Sequence, residues 1–377
     1  MNAYRHVTTG VFDKTLNRIS AIDWMRGIVM ILMALDHASG FFNSGRIFAD
    51  SVLLYESGSV FASDQFLTRW VTHICAPTFI FLTGASIAIS NAQRLQQGMS
   101  QPTIDCELWI RGVFIVLLDI CVFSLVPGKP VLQVLYAIGV GMMLMVWLRR
   151  LGMWIVLIMA MVILTGSELL LTVLWQPGGD VPVWLALTFA PVFTETYTVL
   201  YPAIPWLAMM MLGWVFGGWL ISKPLNTLPV KRLLLISGLV ALVAFVLIRG
   251  LNGYGNMFLL LEGNSIVQWL HVSKYPPSLS YTLLELGLMA IMLAALIQLE
   301  SVAGVRRNGP VLVFGQTALF FYLAHFAVLA LLSAVFDRGD LEMAYLMALL
   351  ALLMLYPVCL VYRRIKWQNP QSVLRFV

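Results

Sequence analysis

The chain has 377 residues, of which 60% are hydrophobic and only 11% charged, and its mean hydropathy is +0.88. A soluble domain carries about 25% charged residues, and a soluble globule this apolar would expose patches that aggregate, so the composition excludes a soluble protein. The net charge of +5 would favour nucleic acid as a partner of a soluble protein. Here the basic residues stand in short clusters between apolar runs, and no nucleic-acid partner is expected.

Ten apolar runs are long enough to cross a bilayer core of about 30 Å, which takes about 20 helical residues. In chain order they lie near 20–42, 66–90, 108–127, 131–148, 151–175, 199–222, 232–250, 280–300, 311–336 and 342–362. The predicted fold class is therefore all-α, a polytopic membrane protein of about ten transmembrane helices. No low-complexity linker or repeat interrupts them, so residues 1–377 are predicted to form a single membrane domain.

The distribution of Lys and Arg predicts how these helices are oriented, because basic residues concentrate on the cytoplasmic side. With the N-terminus inside, fifteen of them fall on the cytoplasmic side and six on the other. Both termini are thus predicted to be cytoplasmic, with 1–19 as a leading segment and 363–377 as a basic tail at the lipid headgroups. The longer loops, 43–65, 176–198 and 251–279, are then external and predicted to form short re-entrant or interfacial pieces.

Ionisable side chains inside a span are costly, so they mark functional candidates. The first predicted helix carries Arg26, Asp36 and His37. Arg26 and His37 are eleven residues apart, which places them on one helix face and about 16 Å apart along the axis. The second helix begins outside, so His73 lies at a depth similar to that of His37.

Four ionisable residues of later helices extend this pattern. Asp119, Glu168 and Glu285 fall in the outer halves of their spans, and His325 lies nearer the middle. Together with Arg111 at the inner end of the third run, they predict a polar cavity that opens outward and has a basic inner mouth. For each acid taken alone, an inter-helix hydrogen bond is an equally good interpretation.

Histidine suits a reacting group in such a cavity, because its unperturbed pKa of about 6.5 lets it take and return a proton near neutrality. A neighbouring carboxylate, Asp36 or Glu285, is predicted to orient the ring. The five histidines show no zinc-ligand spacing, so no metal is expected. The chain also carries no P-loop, nucleophile elbow or dinucleotide fingerprint.

Several segments of the chain resemble the bacterial DUF1624 proteins, relatives of lysosomal heparan-α-glucosaminide N-acetyltransferase. These segments are RISAIDWMRGIVMILMALDH, APTFIFLTGASIAIS, IPWLAMMMLGWVFGGWL, KYPPSLSYTLLELG and FGQTALFFYLAHF, spread over nearly the whole chain in the family order. The chain is more remotely similar to the acyltransferase-3 proteins, whose first helix carries an Arg, ten residues and then a His, as Arg26 and His37 do.

This resemblance implies a multi-pass acyltransferase of the bacterial cytoplasmic membrane. It implies acetyl-CoA as the acyl donor on the cytoplasmic side and a sugar or glycan as the acceptor on the other side. Arg26 and Arg111 are then expected to bind the phosphates of CoA. The polar residues Asp119, Glu168, Glu285 and His325 are expected to bind the acceptor. The other expected partner is the bilayer, and the sequence is compatible with a homo-oligomer.

One feature of the lysosomal enzyme has no counterpart in this chain. Its active histidine lies in the luminal loop between the first two spans, and the equivalent loop, 43–65, contains no histidine. His73 stands where that enzyme has an Asp before its second-helix motif. We therefore predict direct transfer in a ternary complex, with His37 as the general base and Asp36 beside it. His73 is predicted to position the acceptor or to stabilise the oxyanion.

Two other interpretations of the sequence stay open. A proton-coupled transporter or flippase of a small polar or glycolipid substrate would also place carboxylates and histidines inside ten helices. Against it, the sequence shows no inverted repeat and no matching pair of broken helices. A membrane partner without catalytic activity is the third interpretation, because the loop histidine is missing.

Overall fold

The computed structural model describes residues 20–124, 128–221, 228–369 and 372. The predicted leading segment 1–19 and most of the final residues of the predicted basic tail lie outside this range. The long helices are α1 (Ser20–Phe42), α3 (Cys75–Gln96), α4 (Gln101–Phe123), α5 (Val134–Leu148), α6 (Met153–Leu174), α8 (Ala203–Ile221), α9 (Leu228–Leu251), α11 (Leu279–Ala303), α13 (Ala318–Ser333) and α14 (Leu341–Gln368). The short ones are α2 (Ser63–Val71), α7 (Val183–Thr188), α10 (Ile266–Leu270) and α12 (Pro310–Gln316). A single 3₁₀ turn, Thr72–Ile74, joins α2 to α3.

The described chain is a multi-pass helical membrane protein, and this coarse prediction is confirmed. Seven helices are long and apolar enough to cross a membrane, counting Ser63–Gln96 as one. An eighth span results if α12 and α13, which meet at a bend of 102°, form one broken helix. Two of the ten predicted runs are not among these candidate spans. The third corresponds to α4, which carries four charged residues, and the fourth to α5, which has only 15 residues. Ten spans and cytoplasmic termini stay predictions.

Two ends of the bundle differ in structure. Three long segments, 43–62, 175–202 and 252–278, meet at one end, which we call the loop end. A three-stranded sheet lies there, with β1 (Val131–Leu132) pairing parallel to β3 (Thr198–Val199), and β3 antiparallel to β2 (Val192–Phe193). The opposite end, called the basic end, carries Arg94, Arg149 and Arg363. The short elements α7, α10 and β2 lie within the predicted external loops, and their place relative to the membrane stays a prediction.

The helices differ in how much of their surface the protein covers. The segment Ser63–Gln96 is buried over most of its length, whereas α6 and α9 are exposed over most of theirs. Apolar side chains such as Val243 and Leu247 on α9 are largely exposed, at 60% and 61%. An exposed apolar face of this kind is stable in lipid, so α3 lies at the centre of the bundle and α9 at its edge.

Two glycines bring α1 and α12 into backbone contact. A Cβ on Gly27 would collide with the carbonyl oxygen of Val311, and one on Gly315 would collide with the carbonyl oxygen of Asp23. Small residues allow such close crossings in membrane helices. This contact places Gln316, at the end of α12, beside Asp23. Gln316 Nε2 donates to Asp23 Oδ2 at 3.4 Å.

The last helix extends beyond the predicted end of its span. The predicted run stops near 362, but α14 continues to Gln368. Arg363 accounts for part of this extension, since its guanidinium donates to the carbonyl oxygen of Arg307 at 2.8 Å and to Asn308 Oδ1 at 2.7 Å. The first residues of the predicted tail are therefore helical.

Candidate active site

A cavity of about 50 Å³ opens among α1, α3, α5 and α13 toward the loop end, and we call it the loop-end cavity. Its polar lining residues are Asp36, His37, Thr72, Gln133, Tyr201, Lys274 and Tyr322. The rest of the wall is largely apolar, formed by side chains such as Met33, Phe79 and Val134. Polar groups converging in an apolar cavity are typical of a small-molecule site.

His37 on α1 is bonded to His325 on α13. His37 Nδ1 lies 2.7 Å from His325 Nε2, and His325 Nδ1 lies 3.1 Å from the carbonyl oxygen of Phe321. A carbonyl oxygen only accepts, so His325 Nδ1 carries the proton and its Nε2 accepts from His37 Nδ1–H. In this neutral pair, His37 Nε2 keeps its lone pair and is free to take a proton. The order of these bonds leaves His37 with a free basic nitrogen and makes His325 its orienting partner, while a catalytic role for His37 stays a prediction.

Aromatic rings enclose this histidine pair. The ring of Phe326 lies 4.4 Å from that of His37 and 4.3 Å from that of His325, measured between centroids. His325 is fully buried, whereas His37 is half-buried and lines the cavity. The site therefore presents one histidine to a ligand and holds the other behind it.

Asp36 also lines the cavity, but it binds arginines instead of the adjacent histidine. Its Oδ1 accepts from Arg69 Nη1 at 2.6 Å and from Arg46 Nη2 at 3.1 Å. Arg69 in turn binds Asp50, with Nε donating to Oδ2 at 2.8 Å. Burial acts to raise the pKa of Asp50, but the charge of Arg69 and the bond to His73 outweigh it and hold that pKa well below its usual range. The ring of His37 is thus oriented by His325, neither by Asp36 nor by Glu285.

His73 lies in the same charged network but not on the cavity wall. Its Nε2 is 3.1 Å from Asp50 Oδ1, and the residue is 1% exposed. Its backbone carbonyl accepts from the hydroxyl of Tyr281 at 3.0 Å. The structure therefore places the two predicted histidines in different surroundings and brings His37 together with His325 instead.

The three predicted acids of later helices contact backbone or lie in the core, and none is among the residues that line either cavity. Asp119 Oδ2 accepts from the N–H of Gln133 at 2.6 Å, next to the start of α5. Glu168 Oε2 accepts from the N–H of Gly255 at 2.8 Å and so holds the segment after α9. Glu285 is 1% exposed. A role in acceptor binding stays a prediction for all three.

A second cavity, of about 370 Å³, lies toward the other end of the bundle, and we call it the basic cavity. Its charged and amide lining residues are Arg26, Asn91, Arg94, Glu107, Arg111, Arg149, Gln316 and Lys366. Both arginines predicted to bind CoA are therefore in its wall.

The arginines of the basic cavity differ in their partners. Arg26 pairs with Asp23 at 3.1 Å, and Arg94 pairs with Glu107 at 2.7 Å. Arg111 has no ion-pair partner among the residues the structure describes, and it lies close enough to Arg26 and Arg94 for their charges to repel. Like charges gathered in one cavity are stabilised by an anionic ligand, and phosphate suits the guanidinium group best.

The two cavities share part of their walls. Phe79, Leu135, Ile138 and Leu319 line both. We call these four side chains the junction. The basic cavity and the cavity that holds His37 are therefore adjacent, with these four apolar side chains in the walls of both.

Several lining residues carried no signal in the sequence. Lys274 and Tyr201 stand outside the predicted spans or at their edge, where polar residues are ordinary. Arg94, Arg149 and Lys366 entered the sequence analysis only as markers of the cytoplasmic side. Basic residues at the ends of helices serve topology and ligand binding alike, so pattern alone does not separate the two roles.

Comparison with models of known protein families identifies the family of this chain. The family model described as heparan-alpha-glucosaminide N-acetyltransferase, catalytic, matches residues 18–248, more than half of the chain. The matched part includes Arg26, His37 and Arg111, whereas Lys274 and His325 follow it. No curated protein matches the chain. The chain belongs to the heparan-alpha-glucosaminide N-acetyltransferase family, a family of membrane acetyltransferases.

Proposed function

We propose that this protein transfers an acetyl group from cytoplasmic acetyl-CoA to a sugar or glycan on the other side of the bacterial cytoplasmic membrane. One observation carries the proposal: a cavity rich in arginine meets a cavity holding a basic histidine, and the two share an apolar junction. Such a path lets donor and acceptor approach from opposite sides and react where they meet.

The basic cavity fits the donor. CoA joins a phosphate-rich nucleotide to a thin, uncharged arm that ends in the thioester. Arg111, which lacks an acidic partner among the described residues, and Arg26 and Arg94 beside it would hold the phosphates. The arm would then lie toward the junction, where apolar side chains exclude water from the thioester.

The histidine pair supplies the proton chemistry. His37 Nε2 takes the proton from the acceptor hydroxyl or amine as its oxygen or nitrogen attacks the thioester carbonyl. The resulting imidazolium is stabilised by the Nδ1–H bond to His325. The tetrahedral intermediate then loses the thiolate of CoA, which takes the proton from His37. The base is neutral again at the end of the cycle, as direct transfer requires.

The place of His73 favours an indirect role in this scheme. Its ring bonds Asp50, which holds Arg69 against Asp36 on the cavity wall. We propose that His73 positions this network and does not contact the acceptor.

Blocking the junction tests the proposal. In detergent-purified protein given acetyl-CoA and glucosamine, we expect release of the CoA thiol, measured with a thiol reagent, and formation of acetylated sugar. Leu319→Trp fills the junction and should abolish turnover while acetyl-CoA still binds. Leu331→Trp, on the same helix but 61% exposed, is the matched control and should behave as wild type. Full turnover by a folded Leu319→Trp protein would show that the junction is not the path.

Transport is the second candidate function, and the break between α12 and α13 favours it. Broken helices beside a cavity are common in secondary transporters, and Gln316 and Ala318 flank this bend in the wall of the basic cavity. A transporter would move labelled sugar into proteoliposomes without acetyl-CoA. An acetyltransferase would modify the sugar, and no unmodified labelled sugar would accumulate inside the proteoliposomes.

A further inference from the structure

Lys274 is a buried cation on the wall of the loop-end cavity. It is only 4% exposed, and it lines the cavity together with His37 and Asp36. Among the described residues, its ammonium forms no ion pair and no side-chain hydrogen bond. A cation that faces a cavity inside the protein without an acidic partner is stabilised by a ligand that supplies a negative charge.

The backbone around Lys274 is held in place. Its N–H donates to the carbonyl oxygen of Asp50 at 2.8 Å, and the N–H of Ser278 donates to the carbonyl oxygen of Ser273 at 2.9 Å. The ammonium lies 5.4 Å from the centre of the Tyr275 ring. These contacts fix where the side chain begins and which surface it follows, so the ammonium belongs to the cavity and not to the loop surface.

The acids nearest to Lys274 do not neutralise it. Asp36 and Asp50 are already bound by Arg69, and Asp36 by Arg46 as well. Glu285 lies within electrostatic range of Lys274 but forms no ion pair with it. The charged network of the cavity wall is thus balanced without Lys274, which leaves one positive charge for a ligand.

We propose that Lys274 binds a carboxylate or phosphate group of the acceptor, so that the protein acylates an acidic sugar. The inference rests on the proposed function, and it names the class of acceptor. The anionic group would contact the ammonium while a neighbouring hydroxyl or amine of the same sugar meets His37 Nε2. Tyr201, Tyr322 and Gln133, which line the same cavity, offer hydrogen bonds for the remaining sugar hydroxyls.

Binding measurements test this without any turnover. Glucose, glucuronate and glucose 6-phosphate differ in having no anion, a carboxylate or a phosphate, and their dissociation constants can be measured on the detergent-purified full chain. At least one acidic sugar should bind wild type about tenfold or more tightly than glucose, because charge-assisted bonds are the strong ones. Lys274→Met should bring that sugar to the affinity of glucose, and Lys274→Arg should keep most of the preference. Lys129→Met removes a half-buried cation outside the cavity, whose ammonium donates to the carbonyl oxygen of Thr194, and is the control.

Equal binding of the three sugars to wild type would overturn the proposal, as would an unchanged preference in a folded Lys274→Met protein. A preference for only one of the two acidic sugars supports the proposal and shows whether the site binds a carboxylate or a phosphate. Turnover gives a second measurement. The proposal predicts that the rise in KM caused by Lys274→Met is larger for acidic acceptors than for neutral ones. An equal fall in kcat for all acceptors would instead show that Lys274 stabilises the oxyanion. If wild type releases no CoA with any sugar, the proposed function fails while the binding result still stands.

Discussion

The bond between His37 and His325 can be tested by replacing the buried partner. His325→Leu removes the acceptor of His37 Nδ1–H but leaves the reacting nitrogen in place. His325→Gln keeps an acceptor, because the side-chain oxygen of Gln reaches about where His Nε2 stands. The two variants have similar volume and differ in whether the ring of His37 is held in the tautomer that leaves Nε2 free.

The expected loss follows from the hydrogen bond. The Nδ1–Nε2 distance of 2.7 Å describes a well-formed bond between a half-buried and a fully buried ring. Leaving a buried donor unsatisfied costs about 1–3 kcal/mol. If that stabilisation is needed in the transition state, kcat falls roughly 5- to 150-fold in His325→Leu. Replacing the base itself, in His37→Ala or His37→Gln, should cost more, roughly 10²–10⁴-fold, because the proton acceptor is gone.

The assay measures CoA release together with acetyl-CoA affinity and melting temperature. We expect the order of activity wild type, His325→Gln, His325→Leu, His37→Gln, with acetyl-CoA affinity nearly constant throughout. A purely structural histidine pair predicts lower melting temperatures with full activity per folded molecule. An active His37→Gln protein alongside an inactive His73→Ala protein would refute the assignment of the base.

Three other outcomes follow from the described contacts. Arg26→Ala and Arg111→Ala should each weaken acetyl-CoA binding roughly 10- to 150-fold, since a charge-assisted bond is worth about 1.5–3 kcal/mol; unchanged affinity in both folded variants would exclude a phosphate site. The depressed pKa of Asp50 stabilises the fold at neutral pH, and this contribution is lost as pH falls below the unfolded value of about 3.9. The melting temperature of Asp50→Asn should therefore lie below that of wild type at pH 7, and the gap should narrow only as pH falls below about 4. A gap that stays constant down to the lowest pH at which the protein stays folded would contradict this. Topology reporters fused at Arg150 should read cytoplasmic and those at Gly179 external, and an inverted reading at either site would break the predicted alternation.

The sequence allowed the helices to be predicted, because an apolar run of about 20 residues has few alternatives in lipid. It also indicated that Arg26 and His37 share a face of α1, and the structure places them in the walls of two cavities that meet. The short α5 and the bend of 102° between α12 and α13 were not predicted. Hydropathy reports the length of an apolar run and not whether the backbone stays straight within it.

The partner of His37 could not be predicted from neighbouring positions. Asp36 is adjacent in sequence, but consecutive residues of a helix point about 100° apart, so Asp36 faces Arg69 while His37 faces α13. His325 is 288 residues away, and its contact depends on how α1 and α13 cross. Lys274 was missed for a similar reason, since its loop is placed by tertiary contacts with Asp50 and not by a repeating pattern.

Depth in the membrane did not separate ligand-binding groups from structural ones. The cost of burial requires every ionisable side chain to find a partner, and a backbone N–H satisfies that requirement as well as a ligand does. Asp119 and Glu168 both bind backbone N–H groups, which accounts for their depth without chemistry. Lacking an acidic partner is the more informative property of a cation, and among the described residues that line the cavities Arg111 at one end and Lys274 at the other form no ion pair.

These two cations lie on opposite sides of the junction, and this has a consequence for selectivity. Each would hold a charged reactant in its own cavity, the phosphates of the donor near Arg111 and the anion of the acceptor near Lys274. The junction of Phe79, Leu135, Ile138 and Leu319 offers no charge and no hydrogen bond from its side chains, so neither charged group gains by entering it. An acetyl group is small and uncharged, and the thioester that carries it is the one part of either reactant that suits this constriction. The proposed transfer would therefore move only the acyl group between the two cavities, while both charged molecules stay where they bind.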